Sequence, residues 1–205
     1  MYDVACKIKA ACLKMTSLVL VGLIAGSALV TSAHANEFAP QIEAVFKEQV
    51  IGWLSDPAVV DAIKAQNATT ASYDDAKIEE LDQAWRAEAK AGGGDMINAT
   101  LGNALSTFLK GKKDSSGGIF SEIFVMDAKG LNVGQSDVTS DYMQGDEGKF
   151  QKTFGVGPDA MFIDEVEFDD SSQTFQSQIS HTIVDPADGK SIGAITLGVN
   201  VENLP

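Results

Sequence analysis

The chain has 205 residues, of which 29 are acidic and 15 are basic, so its formal net charge is −14 at neutral pH. About 170 residues follow the first 35, which is enough for one domain with its own core and hardly enough for two. The negative charge argues against nucleic acid or an anionic membrane surface as a partner, because either would repel the protein.

The first 35 residues have the organisation of a signal peptide. Lysines precede an apolar stretch at 18–30, and Ala33-His34-Ala35 fits a small-residue cleavage site. We therefore expect cleavage after Ala35 and a periplasmic or secreted protein. The alternative is an uncleaved anchor, although the apolar stretch is shorter than the about 20 residues that span a bilayer. Cys6 and Cys12 both precede this stretch, so cleavage leaves no cysteine for disulfides, thiol catalysis or metal binding.

Residues 36–117 are predicted to form a helical segment. Apolar side chains recur every three or four positions over 42–54, which is typical of an amphipathic helix. Asp56 can cap a second helix, and a third helix is predicted to follow a loop at 67–72. A glycine triplet ends the third helix, and Asn98 precedes the fourth.

Residues 118–205 alternate between strand-like and turn-like segments. A polar insert, Asp141 to Phe154, separates the second predicted strand from the third and is predicted to be helical. Two strands, a helical crossover and a three-strand meander make the plan of a PAS-like fold. The predicted strands fall within residues 119–130, 131–137, 160–168, 173–184 and 191–202.

This part of the chain resembles the extracytoplasmic PAS-like sensors called Cache or PDC domains, most strongly over Leu131 to Phe154. The resemblance implies an α+β fold: a PAS-like five-stranded antiparallel sheet with the N-terminal helical segment packed on one face. We expect residues 36–205 to form this one domain, with its sheet region at 118–205. Domains of this family usually bind small molecules and do no chemistry on them.

The inventory of reactive residues also predicts that the protein is not an enzyme. After cleavage His181 is the one remaining histidine, so a histidine-rich metal site is excluded. The sequence has no HExxH, GxSxG or phosphate-binding GxxxxGK[ST] motif. We expect no catalytic residue, no metal site and no cofactor, and we interpret His181 as a packed or partly exposed strand residue.

The fourth predicted strand has one entirely polar side, formed by Gln176, Gln178, Ser180 and Thr182. Successive side chains of a strand point to opposite faces of the sheet, so these four share one face. Such a row either faces water or lines a cavity in which it binds a small polar ligand. The sequence leaves both interpretations open.

The resemblance to Cache domains also implies a site in the loop and helix that follow the second strand. There Tyr142 would stack on a ligand or hydrogen-bond to it, an aspartate would bind an ammonium group, and Lys149 would pair with a carboxylate. The alternative is a capped helix with solvated charges and one tyrosine in the core. Many amino-acid-binding Cache domains carry an arginine with neighbouring aromatic residues in this region, which binds the ligand carboxylate. This chain has a single arginine, Arg86, on the predicted third helix and no such motif in the sequence near Tyr142, so the resemblance does not identify the ligand. The candidates by position are Ser136, Asp137, Asp141, Tyr142, Gln144 and Lys149.

Because the chain ends at Pro205, directly after the last predicted strand, we expect a stand-alone sensor domain. It would reversibly bind a small polar molecule and pass the signal to a separate partner, either a membrane receptor or a sensor kinase. A second hypothesis is an interaction module with a filled pocket that forms a homodimer through its N-terminal helix. A third is a divalent-ion site formed by Asp137, Asp141 and Asp146, although their spacing fits no EF-hand.

Overall fold

A computed structural model of the protein describes residues 36–169 and 173–205. The expected signal peptide at 1–35, with its cleavage site, lies outside the described residues, as do residues 170–172 of one predicted turn. Among the described residues, no helix has the length and apolar character needed to cross a membrane.

The first part of the helical segment is helical where the sequence predicts an amphipathic helix. The first helix continues without a break through a π-helical turn, Phe46–Val50, and a 3-10 turn, Ile51–Trp53. The side chain of Asp56 accepts a hydrogen bond from the Ala58 N–H, which confirms Asp56 as the cap of the second helix. Within the described residues the α-helices are α1 (Ala39–Val45), α2 (Pro57–Thr70), α3 (Asp75–Ala91), α4 (Asp95–Leu101), α5 (Ala104–Asp114) and α6 (Gly148–Gln151).

The predicted strands are all present and pair as one antiparallel sheet. Its order, β2-β1-β5-β4-β3, places the first and last strands of the chain side by side at the centre. The five-stranded antiparallel sheet and the helices packed on it confirm the expected α+β fold. The strands are β1 (Phe120–Asp127), β2 (Asn132–Gln135), β3 (Met161–Asp169), β4 (Thr174–Val184) and β5 (Ser191–Asn200).

The apolar face of the sheet packs against the N-terminal helices. Ile179 of β4 lies opposite Leu197 of β5, and both are buried with Ile42 and Phe46 in the main core. His181 belongs to this face and stacks on Phe46 with a ring-centroid distance of 5.4 Å. The apolar row of β4 therefore forms the core, and its polar row must lie on the opposite face.

Three local expectations were wrong. Helix α2 continues to Thr70, four residues into the predicted loop, because Asn67 and Thr70 bond to groups of the sheet. The predicted fourth helix is two helices, and Asn103 rather than Asn98 caps the longer one by accepting the Ser106 N–H. Most of the insert 141–154 is loop or turn, and its helix has four residues.

A second core attaches α3 to the segment that follows β2. Trp85 is fully buried, stacks on Tyr142 with a centroid distance of 5.5 Å and donates its indole N–H to the carbonyl of Thr139 at 2.9 Å. Leu131 and Ile97 complete this cluster. One side of the segment between β2 and α6 therefore packs against α3, and its other side faces the polar face of the sheet.

Candidate ligand-binding site

A cavity of about 600 Å³ lies on the polar face of the sheet. Its floor is formed by Glu122 and Phe124 of β1 and by Gln176 and Gln178 of β4. One wall is β3, and the other is the segment from residue 138 to 149. Cavities of this size are typical of small-molecule sites in proteins.

The floor is a hydrogen-bonded network across three strands. Gln178 donates to the Glu122 carboxylate at 3.0 Å, and Gln176 donates to the same oxygen at 3.4 Å. The Ser121 hydroxyl donates in turn to the Gln176 carbonyl oxygen. The polar row of β4 therefore faces a cavity rather than open water at Gln176 and Gln178.

Glu122 is a functional candidate that the sequence analysis missed. Burial raises the pKa of this carboxyl group above its ordinary value, although the amide of Gln178 and the ammonium of Lys149 oppose the shift. A signal was present in the sequence, because Glu122 directly precedes the apolar run 123–126 within the strand. Glu122 lies two residues before Phe124 in regular register, so both side chains are on the same face of the sheet, whereas the irregular pairing between Phe120 and Glu122 leaves Phe120 in the main core.

The wall formed by β3 is acidic. The pairing of β3 with β4 is irregular between Ile163 and Val166, so that Asp164 and Glu165 together oppose the single residue Gln178. Such a bulge re-aims side chains, and here both carboxylates line the cavity. The β3 residues of the lining are Asp164, Glu165, Glu167, Phe168 and Asp169.

Lys149 lies at the opposite wall and is already engaged by cavity groups. Its ammonium is 5.2 Å from the centre of the Phe124 ring, 3.1 Å from the Glu147 carboxylate and 3.2 Å from the Gln144 carbonyl oxygen. Its side chain is only 13% exposed. An ammonium group is thus held by an aromatic face and oxygen acceptors at the edge of the floor.

Asp141 joins the cavity to helix α3. Its carboxylate lines the cavity and accepts a hydrogen bond from the guanidinium of Arg86 at 3.1 Å. Arg86 also bonds to Asp82 at 2.6 Å, and Asp82 accepts the backbone N–H groups of Tyr142 and Met143. These bonds fix the position of the cavity wall relative to α3.

The structure brings five of the nine predicted site residues into the cavity lining, and their role in binding stays a prediction. The other four lie elsewhere: Ser136 bonds to the Ile123 N–H, Asp137 pairs with Lys113 at 2.6 Å, Tyr142 stacks on Trp85, and Ser180 bonds to Thr196. The five that line the cavity are Asp141, Gln144, Lys149, Gln176 and Gln178.

A buried amide lies next to this cavity. Gln135 is paired with Phe124, so both side chains are on the same face of the sheet. Gln135 is 1% exposed, and its carbonyl oxygen accepts from Thr139, a residue of the cavity wall. Among the described residues, its amide nitrogen has no hydrogen-bond partner.

The second cavity, of about 750 Å³, is a shallow groove between α2, α3 and the start of α5. Tyr142 contributes to it, and burial raises the pKa of this phenol above its ordinary value. Much of the remaining lining consists of alanine and threonine side chains. Its walls offer fewer charged groups than those of the first cavity.

The arrangement does not support the divalent-ion site proposed for Asp137, Asp141 and Asp146. Asp137 pairs with Lys113, and Asp141 pairs with Arg86. Within residues 36–169 and 173–205, no three histidine, cysteine or acidic side chains come together as metal ligands would.

Comparison with family models and with curated proteins gave no match. Among solved structures, the chain is similar to the sensory domain of the Campylobacter jejuni chemoreceptor Tlp3, with 14% identity and a TM-score of 0.40 over 81% of this chain and 64% of that one. The ligand-binding domain of the same receptor in complex with 4-methylisoleucine matches with 15% identity and a TM-score of 0.39, over 80% and 62%. The sensor domain of the V. cholerae histidine kinase DctB matches with 10% identity and a TM-score of 0.32, over 80% and 55%.

These neighbours are sensory or ligand-binding domains of receptors and of a kinase. The chain spans less than two thirds of the length of each of them.

Proposed function

We propose that this protein is a sensor-type domain that reversibly binds a small polar ligand in the cavity on the polar face of its sheet and does no chemistry on it. The observation that carries the proposal is the row of Glu122, Gln176 and Gln178, whose polar groups face about 600 Å³ of space. Polar groups placed on the floor of a cavity bind a ligand's polar groups, because a buried polar atom needs a partner.

Two further features support a ligand over the hypothesis of an interaction module with a filled pocket. The cavity is bounded by two walls and a floor, and the buried donor of Gln135 adjoins it without a partner among the described residues. The apolar stripe of α1 is used within the domain, since Ile42 and Val45 are buried against the sheet. This leaves less apolar surface on that helix for a homodimer contact.

The proposal includes a location outside the cytoplasm and transfer of the signal to a separate partner, a membrane receptor or a sensor kinase. The location rests on the signal-like sequence of residues 1–35. A partner could sense the ligand through the wall segment, because Asp141 and Tyr142 connect that segment to α3.

Calorimetric titration and thermal shift of the purified protein against amino acids, carboxylates, amines and purines test the proposal. We expect one chemical class to bind with 1:1 stoichiometry and to raise the melting temperature, since a ligand that binds only the folded state stabilises it. Gln178→Leu should weaken that binding, whereas Gln83→Leu on the exposed side of α3 should not. A panel without any binder, or binding that Gln178→Leu leaves unchanged, would refute the proposal.

A further inference from the structure

We propose that the ligand of this cavity is an organic cation with two or more ammonium groups, a diamine or a linear polyamine; this rests on the proposed function. Among the described residues, the lining contains seven acidic side chains and one basic side chain, Lys149. The acidic residues are Glu122, Asp141, Glu147, Asp164, Glu165, Glu167 and Asp169.

The charge partners of these carboxylates differ across the cavity. Asp141 is paired with Arg86 and Glu147 with Lys149. Within the part of the chain that the structure describes, no lysine or arginine forms an ion pair with Glu122 on the floor or with the bulge residues Asp164 and Glu165. The cavity therefore has a negative potential that an anionic ligand would have to overcome and a cationic one would relieve.

The position of Lys149 is independent support for an ammonium ligand. Its ammonium lies over the Phe124 ring and between the oxygens of Glu147 and Gln144, largely shielded from water. This is the combination of aromatic face, carboxylate and carbonyl that holds ammonium groups in proteins. Across the floor, the Glu122 carboxylate accepts from the amides of Gln178 and Gln176, and within residues 36–169 and 173–205 it forms no ion pair with a lysine or arginine.

The distribution of charge favours an extended cation over a metal ion. Glu122 lies on the floor, Asp141 on one wall, and Asp164 with Glu165 on the other. A metal ion needs its oxygen ligands to converge on one point, and among the described residues no group of three does so. Ammonium groups spaced along a flexible chain can reach separate carboxylates within the same cavity.

Calorimetric titration with putrescine, cadaverine and spermidine tests this inference, with succinate and calcium chloride as anionic and metal probes. We expect one polyamine per protein, with an affinity that falls as the salt concentration rises. Glu122→Gln should weaken the binding about tenfold or more, because it removes a partly buried charge partner. The double variant Asp164→Asn with Glu165→Gln should also weaken it, and its exposed positions should not disturb folding.

Glu48→Gln is the matched control, since it removes the same charge from the helical segment that packs on the opposite face of the sheet. It should leave the polyamine affinity unchanged, which separates specific binding from general attraction to an acidic protein. Tight binding of succinate or a neutral compound with no binding of amines overturns this inference while the proposed function stands. An equal loss of affinity in Glu48→Gln and Glu122→Gln overturns it too. Absence of any binder overturns both.

Discussion

Gln178 donates a hydrogen bond to Glu122 over the bare backbone of Gly198. Gly198 is paired with Glu122 on one side and with Gln178 on the other, so the three form one row across β1, β5 and β4. Because the central residue has no side chain, the outer two can meet at 3.0 Å. The floor of the cavity thus depends on a glycine in the middle of the sheet.

The first prediction concerns this glycine. A Cβ atom at position 198 would lie 2.4 Å from the Ser121 hydroxyl oxygen, 2.6 Å from the Gln176 carbonyl oxygen and 2.9 Å from Cγ of Glu122. Gly198→Ala should therefore displace the floor network and cost about 1–3 kcal/mol of stability, as overpacking usually does. It should also weaken binding of any ligand held by that network.

Urea unfolding and calorimetric titration measure these two effects. The control is Gly52→Ala, because a Cβ atom there has no neighbour within 4 Å. A Gly198→Ala protein with unchanged stability and unchanged affinity would show that the floor network tolerates rearrangement.

The second prediction concerns the charge of Glu122. Its pKa in the folded protein is raised by burial above its usual value near 4.5, so the folded state disfavours the ionised form. The protonated Glu122 carboxyl therefore contributes its full stabilisation of the folded state only below its usual pKa. This stabilisation is lost as the pH rises through the raised pKa. Glu122→Gln removes the charge and retains an oxygen that can accept from Gln178.

Without ligand, Glu122→Gln should have a higher melting temperature than the wild type at pH 7. The difference should shrink as the pH falls towards 4, where the wild-type carboxyl is protonated. Melting curves over this pH range measure it, and Glu48→Gln serves as the exposed control. A variant that is less stable than the wild type at pH 7 would show that the ionised carboxylate is well compensated in the native state.

Much of the fold could be predicted because polar and apolar residues alternate along the strands of the meander. In β4 the apolar residues Ile179 and Ile183 alternate with polar ones, and in β5 Leu197 and Val199 do the same, which indicates both the strand and its core side. The boundary of α2 could not be predicted in this way. Thr70 is helical because its hydroxyl bonds to Asp127 of β1, a contact that depends on tertiary structure.

The site was predicted less well than the fold, for a related reason. The polar row of β4 identifies its own face, but Glu122 meets Gln178 only because the strand order is β1-β5-β4. This strand order does not follow from local residue patterns. For Tyr142 the sequence left ligand contact and core packing open, and the structure shows it packed on Trp85.

The third prediction concerns the attachment of the cavity wall to α3. One carboxylate oxygen of Asp82 accepts the N–H groups of Tyr142 at 2.9 Å and Met143 at 3.0 Å. Asp82→Ala would leave both donors without this partner, at a cost of about 1–3 kcal/mol for each buried group. Urea unfolding measures the loss. Glu79→Ala, on the exposed side of the same helix, is the control and should change stability little.

The fourth prediction is the acid sensitivity of the same contact. Burial alone would raise the pKa of Asp82, but the hydrogen bonds from Met143, Arg86 and Tyr142 lower it below the usual 3.8. A lowered pKa in the folded state gives stability that is present above pH 3.8 and is lost as the pH falls through the lowered value. The stability difference between the wild type and Asp82→Asn should therefore be constant near neutral pH and shrink below pH 4. A difference that persists unchanged at pH 2.5 would contradict the assignment.

The last prediction separates stability from ligand affinity. Arg86 is 53% exposed and bonds to both Asp82 and Asp141, so it competes with a cationic ligand for the Asp141 carboxylate. Arg86→Met should lower stability by only about 0.2–1 kcal/mol, because exposed ion pairs contribute little. Freed from the guanidinium, Asp141 should bind an ammonium group more strongly, and spermidine affinity should rise about two- to fivefold.

Lys110→Met is the matched control, since it removes a lysine that pairs with Asp114 at the exposed surface of α5. It makes the protein more negative by the same amount, so a gain in affinity that appears only in Arg86→Met must come from Asp141. The two variants are compared by calorimetric titration with spermidine and by urea unfolding. If Arg86→Met bound spermidine more weakly than Lys110→Met, Asp141 would serve to position the wall through Arg86 rather than to contact the ligand.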